Sequence, residues 1–262
     1  SACLIAQGFK TTVALMQTPE DNLKGFHWED LEKICEDAKL VGISCMTHGV
    51  QKAIEVKHAI EEKFTVPIVV GGIHASLATE ELLKYFDLVC HGEGEDTIVE
   101  LARRLSNDEP YRDIPGLWIK HADTIARNQN QPLRLDLNDY PFPDYDLSHQ
   151  FILEANRLVP MKPTPMHVCF DNFVVLGSRG CPHRCTYCSN QRIKKEFPWL
   201  KNVRHYSVDY LINHLKEVCR IYPEVRSFWI EDDTFFAKKI DEIQEFAERY
   251  EKEIHKPFLI LI

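Results

Sequence analysis

The 262-residue chain carries cysteines on the spacing C-x3-C-x2-C, in Cys181-Pro-His-Arg-Cys185-Thr-Tyr-Cys188. Thiolates this close in sequence can wrap one metal centre, and soft sulfur donors select zinc, copper(I) or iron-sulfur clusters over harder ions. Zinc asks for a fourth protein ligand, for which His183 or His205 stands within reach in sequence. A three-cysteine cluster site instead leaves one iron open to a non-protein ligand. The spacing alone admits both chemistries. A second group is acidic: Phe228-Trp-Ile-Glu231-Asp232-Asp233-Thr-Phe235 ends an apolar run with consecutive carboxylates. Those suit either an ammonium-bearing ligand or a solvated turn that caps the following helix.

Elements that would position these groups follow from periodicity. Phe173 to Leu176 reads as a strand that delivers the turn Gly177-Ser-Arg-Gly180 and then the cysteines, and Ser227 to Ile230 as the strand beneath the carboxylates. Helices over about Val208 to Tyr222 and Ile240 to Glu253 separate these from a strand at Phe258 to Ile262. Upstream, apolar strands at Thr11 to Met16, Leu40 to Cys45, Pro67 to Val70 and Asp87 to Cys90 alternate with amphipathic helices, the pattern of a doubly wound parallel sheet. Ligands on such sheets sit at strand C-terminal ends. Gly116 to Lys120 and Thr124 to Arg127 predict a hairpin, and the polar, proline-bearing Asn138 to Asp146 predicts a boundary.

Family resemblance sharpens the first group. Arg179-Gly-Cys181-Pro-His-Arg-Cys185-Thr-Tyr-Cys188-Ser-Asn190 resembles the cluster-binding loop of the radical S-adenosylmethionine (SAM) superfamily, in which an aromatic residue precedes the last cysteine. The resemblance implies that Cys181, Cys185 and Cys188 hold a [4Fe-4S] cluster whose open iron chelates the SAM amino and carboxylate groups, with Tyr187 on the adenine side. Such contact lets an electron pass directly into the sulfonium. The acidic run resembles the family's second-strand site, which implies Glu231 and Asp232, with Asp233 behind them, on the SAM ammonium and ribose.

Three glycine-bearing strand ends extend the likeness. Ile43-Ser44-Cys-Met-Thr47, Val70-Gly71-Gly72-Ile-His74-Ala75 and His91-Gly92-Glu93-Gly94-Glu95-Asp-Thr97 look like the cobalamin-binding domain of B12-dependent radical SAM enzymes. Ser44, Thr47, Gly71, Gly72, His74, Glu93, Gly94 and Glu95 are then the expected cobalamin contacts. Glycines there let backbone approach a flat macrocycle, and a helix opening at Glu95 offers unpaired amides. No histidine has Asp two residues before it, so the D-x-H-x-x-G cobalt ligand of many cobalamin domains is missing; His74 reads as a histidine packed in its Gly-Gly turn.

The expected architecture is α/β: a Rossmann-like cobalamin-binding domain over 1–140 with a hairpin near 116–127, a linker over 141–172, and the start of a radical SAM partial (β/α) TIM-like barrel over 173–262. Three strand candidates follow the linker where the family's barrel has six, so the chain reads as a fragment truncated at both ends. By resemblance, the intact enzyme splits SAM to a 5′-deoxyadenosyl radical and transfers a methyl group from cobalamin to an unactivated carbon of a small molecule. Flavodoxin or ferredoxin would serve as external electron donor. A cyclase or rearrangement enzyme is the catalytic alternative, and a zinc-binding, non-catalytic module the alternative of another class.

Composition narrows the partners. Net charge is −9, with 14 basic and 23 acidic residues over 1–140 and 17 of each thereafter. That balance opposes a duplex-binding surface, so nucleic acid is not expected. No apolar run approaches the roughly 20 residues of a membrane span, and no basic segment precedes a long apolar stretch at the N-terminus, which reads as cytoplasmic. Residues 179–205 hold seven Arg or Lys against one Glu, a solvated helix face or a device for steering anions. Cys3, Cys35, Cys45, Cys90, Cys169 and Cys219 lie mostly in apolar stretches and read as core thiols, and Trp118, Trp199 and Trp229 as packing residues.

Overall fold

The computed structural model describes residues 1–16, 23–162, 168–169, 172–198 and 202–260. Two compact units emerge, one of residues 1–133 and 146–161, the other of 134–145 and 162–262. Trp199, Ile262 and the side chain of Cys169 lie outside the described residues.

The first unit runs α1 (Ala2–Ala6), β1 (Val13–Leu15), α2 (Trp28–Cys35), β2 (Val41–Ser44), α3 (Val50–Glu61), β3 (Ile68–Gly71), α4 (Ile73–Leu77), α5 (Thr79–Leu82), β4 (Leu88–Cys90), α6 (Glu95–Ser106), β5 (Leu117–His121), β6 (Thr124–Arg127), β7 (Gln150–Glu154) and β8 (Arg157–Pro160). β2, β3 and β4 are parallel neighbours, so their C-terminal ends share one edge. The run Ile68-Val-Val70 is buried throughout, as a strand covered on both faces requires. Val70, Ala75, Leu82 and Val89 are fully buried, each large one worth roughly 2 kcal/mol of transfer energy. Cys35, Cys45 and Cys90 belong to this core as expected, and burial pushes the Cys90 thiol up to about 11.

Two features depart from the sequence expectation. The sheet is mixed: the β5–β6 hairpin docks antiparallel on β4, giving the order β2-β3-β4-β5-β6. β1 stays out of that sheet and pairs in parallel with β7, which carries β8 antiparallel on its other side. Residues 150–160, read above as part of a connecting segment, are therefore ordered strands of the first unit. Ala155 and Asn156 form the two-residue turn between them, both with positive φ (45° and 67°), the geometry that matches strand twist in a hairpin. Arg157 anchors the hairpin by a fork on the buried Asp30 of α2, at 2.5 and 2.8 Å, and the Leu158 amide adds a third bond at 3.2 Å. The guanidinium beside it holds the Asp30 carboxyl down at about 2.

The second unit contains β9 (Val168–Cys169), β10 (Asn172–Val175), β11 (Ser178–Arg179), α7 (Ser189–Glu196), β12 (Arg204–His205), α8 (Val208–Ile221), β13 (Ser227–Ile230), α9 (Ile240–Glu253) and β14 (Phe258–Ile260). β10, β13 and β14 are parallel and adjacent in chain order, with β9 antiparallel at the far edge. Strands joined by helices and laid down in sequence order are the arrangement that opens a (β/α) barrel; no closed barrel is seen among the described residues. α8 starts at Ser207, whose hydroxyl accepts the Tyr210 amide at 3.1 Å, and buries Leu211, Ile212, Leu215 and Val218 along one face. Residues 134–145, which overlap the stretch Asn138 to Asp146 read above as the domain boundary, pack on that helix: Asn138 accepts from the Ser207 amide and hydroxyl, and the Tyr145 hydroxyl meets His214 Nε2 at 2.6 Å. Burial lowers the His214 pKa to about 4. Among the described residues no helix is long and apolar enough to cross a membrane.

Candidate functional site

At the C-terminal edge of the first unit's sheet, the loops after β2, β3 and β4 meet. The Cys45 amide donates to Gly71 O at 3.1 Å, and His74 Nδ1 lies 3.1 Å from Thr47 Oγ1. Gly72 has φ +98°, and a Cβ there would lie 2.7 Å from Cys45 O and 3.0 Å from Ser44 Oγ, so this position admits only glycine. Ser76 of α4 links onward, accepting the Gly92 amide at 3.2 Å, and Thr79 bonds the buried His91 at 2.7 Å. Ser44, Thr47, Gly71, Gly72 and His74 are thus brought together, with Glu93 and Gly94 on the adjoining loop and Glu95 opening α6. His74 is buried under Thr47, while Ser44 and Thr47 are exposed together with Met46 and Ile73. Gly94 sits over the Cys90 sulfur, which a Cβ would approach to 3.2 Å. The edge is a shelf of bare backbone, two hydroxyls and two apolar side chains, a surface that fits a flat, amide-fringed macrocycle.

In the second unit, the cysteine loop leaves β11 through Gly180 (φ +96°) and runs into α7, with Cys188 at the helix N-cap. The β11–β12 ladder pairs Ser178 with His205 and Arg179 with Arg204, closing the loop at its base. Lys194 of α7 reaches back to His183 O at 2.7 Å, and the Gln191 side-chain amide lies against the carbonyls of Arg184 and Cys185. Cys185 is exposed, Cys181 and Cys188 are half-buried, and Tyr187 is 92% exposed. The thiols share one loop but are not drawn together: among the described residues no three His, Cys, Asp or Glu side chains converge as a metal site. The donor set itself fits an iron-sulfur cluster, since three thiols on one exposed loop leave a fourth corner open.

The carboxylates divide. Glu231 and Asp233 are exposed, whereas Asp232 is fully buried and committed. Its Oδ1 accepts the Gly177 amide at 2.5 Å and its Oδ2 pairs with Lys238 Nζ at 2.8 Å. Asp232, expected beside the SAM ammonium and ribose, faces the interior instead, and the physical reason is strand alternation: Phe228, Ile230 and Asp232 share the inward face. Two residues that the sequence reading did not single out complete the site. Thr234 Oγ1 lies 3.1 Å from Cys181 Sγ, tying the cysteine loop to the acidic strand end, and Lys238 supplies the buried countercharge. The same alternation carried forward past Ile230 marks Asp232 in the sequence; Lys238 has no such signal. His205, one of the histidines that could complete a zinc site, is half-buried on β12, and desolvation lowers its pKa.

Comparison with known proteins places these features. The B12 binding domain family model matches residues 1–102. An uncharacterized methyltransferase of Pyrococcus horikoshii is 30% identical over 218 residues, which is 81% of this chain and 44% of the relative. An anaerobic magnesium-protoporphyrin IX monomethyl ester cyclase of Cereibacter sphaeroides is 26% identical over 180 residues, 63% of this chain and 27% of the relative. The solved structure of OxsB, described as a cobalamin-dependent S-adenosylmethionine radical enzyme with aqua-cobalamin and S-adenosylmethionine bound, aligns with a TM-score of 0.67 at 18% identity over 89% of this chain and 32% of that one. The chain spans less than half the length of each of these proteins.

Proposed function

Because the chain belongs to the B12-binding radical SAM family, we propose that it carries the cofactor-holding residues of a cobalamin-dependent methyltransferase that acts on an unactivated carbon of a small molecule. One observation carries the reading: the three-thiol loop is fastened, through Cys181 and Thr234, to the strand end that presents Glu231 and Asp233.

Cys181, Cys185 and Cys188 would hold the [4Fe-4S] cluster, with Lys194 and Gln191 bracing the loop carbonyls between them. When bound, the cluster supplies an electron to the SAM sulfonium, and cobalamin supplies the methyl group to be transferred. Glu231 and Asp233, open to solvent at the end of β13, would accept hydrogen bonds from the SAM ammonium and ribose hydroxyls. The Tyr187 ring, exposed between two ligand cysteines, offers the adenine a stacking face. On the first unit, Ser44 and Thr47 present hydroxyls to cobalamin beside the bare backbone of Gly71, Gly72 and Gly94, and His74 braces Thr47 from beneath. An external flavodoxin or ferredoxin would deliver the electron.

The test is anaerobic reconstitution of the chain with iron and sulfide. Uptake of about four of each per chain, with a paramagnetic signal that changes on adding SAM, supports the reading. One zinc and no sulfide overturns it in favour of a metal-knotted binding module. The cyclase relative keeps ring closure open as a second reaction type, and product analysis with isotopically labelled SAM separates them, since only methyl transfer moves the label to product.

A further inference from the structure

The buried pair Asp232–Lys238 has no role in the contacts described so far, and it is an expensive feature. Both side chains are almost wholly out of water, at 0% and 4% exposure, and removing an ion pair from solvent rarely stabilises a fold relative to apolar packing. What the pair does accomplish is geometric. Asp232 Oδ1 takes the Gly177 amide, and a side chain on Gly177 would sit 3.2 Å from both Asp232 Oδ2 and Leu211 Cδ2, so the glycine is what lets the amide come this close. Gly177 O in turn accepts the Tyr206 amide at 3.1 Å, just beyond β12. Four residues further along, Cys181 Sγ touches Thr234 Oγ1. The run from Gly177 to Cys181 is thereby tied at both ends to the single short segment Asp232–Thr234, whose other side chains are the exposed carboxylate Asp233 and, one step before, Glu231. Lys238 fixes the Asp232 carboxylate from behind while lying 4.6 Å over the Phe235 ring, itself buried.

We propose that Asp232 and Lys238 form a latch that sets the position of the first cluster cysteine relative to the carboxylates that receive SAM. Asp232 is a positioning residue here and makes no contact with the cofactor. The proposal rests on the cluster reading for its consequence, though not for its geometry, which is complete in the unloaded chain.

Hydrogen exchange on the unloaded protein tests the latch directly. Removing the acceptor in Asp232→Ala raises exchange of the Gly177–Cys181 amides about tenfold or more, the value of one lost buried hydrogen bond, while α8 and α9 keep wild-type protection. The double variant Asp232→Asn with Lys238→Met removes both charges but leaves an oxygen for the Gly177 amide, and stays within about twofold of wild type. Unchanged exchange at Gly177–Cys181 in Asp232→Ala overturns the latch, and so does protection lost equally across β13, α8 and α9, which is a folding defect. After anaerobic loading, Asp232→Ala retains its iron and sulfide but its paramagnetic signal responds to SAM less than that of wild type; an equal response also overturns the proposal. If wild type itself takes up no cluster, the cluster reading fails, and the exchange result still decides whether the latch exists.

Discussion

At the glycine edge of the first unit, polar groups bond largely to one another: His74 Nδ1 with Thr47, Ser76 with Gly92, Thr79 with His91, all beside a Gly72 that tolerates no side chain, while the buried His74 Nε2 has no partner among the described residues. The cysteine loop of the second unit is held at its base and along its carbonyls, while among the described residues no three His, Cys, Asp or Glu side chains converge as a metal site. The contrast teaches where each site's specificity resides. On the function proposed above, a large, flat, weakly directional cofactor would meet a surface whose shape comes from the backbone. On the same reading, a cluster with fixed bond lengths would supply its own geometry at the second site, the loop bringing the donors close and ligation closing it. Substitutions on the two sites are therefore expected to fail differently.

The sharpest break comes from Cys185→Ala. Iron and sulfide uptake falls from about four per chain to near zero, while the unloaded melting temperature stays within about 1 °C, because an exposed loop side chain contributes little to folding. Comparable uptake by the variant, measured by iron and sulfide analysis, would remove the loop from the site. Gly72→Ala fails in the opposite sense: the collision with Cys45 O and the positive φ cost about 3 kcal/mol, read by chemical denaturation, with cluster uptake unaffected. Stability within 1 kcal/mol of wild type would show that the edge is less finished than its contacts indicate.

Acid separates the units as well. His214 in the second unit is neutral and buried with a pKa near 4 against an ordinary value of 6.5. The unfolded chain therefore binds this proton first, and the second unit loses up to about 2–3 kcal/mol as pH falls from 6.5 towards 4, with no further loss from this group below that. His214→Gln flattens that part of the stability profile; an unaltered slope counts against the assignment. In the first unit, Asp30 beside Arg157 keeps its contribution down to pH 3.8 and loses it only as pH falls through about 2, so this pair adds nothing to the same window. The smallest effect expected is a gain. Ala155 pays for a left-handed backbone in the β7–β8 turn, and Ala155→Asn, a residue that tolerates that region, raises stability by about 1 kcal/mol by thermal denaturation.

That turn also marks where the sequence stops being readable. The parallel strands and long helices were legible because their apolar residues keep strict period: Ser227–Ile230 and Ile240–Glu253 fall where periodicity puts them. The cysteine spacing and the glycine pairs were legible because few other residues serve in those places. The β7–β8 hairpin was not, since Glu154-Ala-Asn-Arg157 lacks the Asn-Gly or Asp-Gly pair that announces a two-residue turn, and its strand partner β1 lies more than a hundred residues away in sequence. Pairing of β1 with β7 rather than with the main sheet is a tertiary choice that no local pattern encodes. Asp232 and Lys238 illustrate the other limit: alternation past Ile230 turns Asp232 inward, but no local signal marks Lys238 as its partner, and only three-dimensional neighbours reveal a pair sealed from water.

The two-stranded ladder of Ser178–Arg179 with Arg204–His205 has an implication for how this protein can diversify. It clasps the chain on either side of residues 180–203, while Cys181 and the buried Phe197 are points at which that excursion is held. Lengthening a closed excursion carries only a logarithmic entropic cost. Variation there is best tolerated at exposed positions such as Lys195, whereas Gln191, Lys194 and the buried Phe197 stay tied to the loop carbonyls and the core.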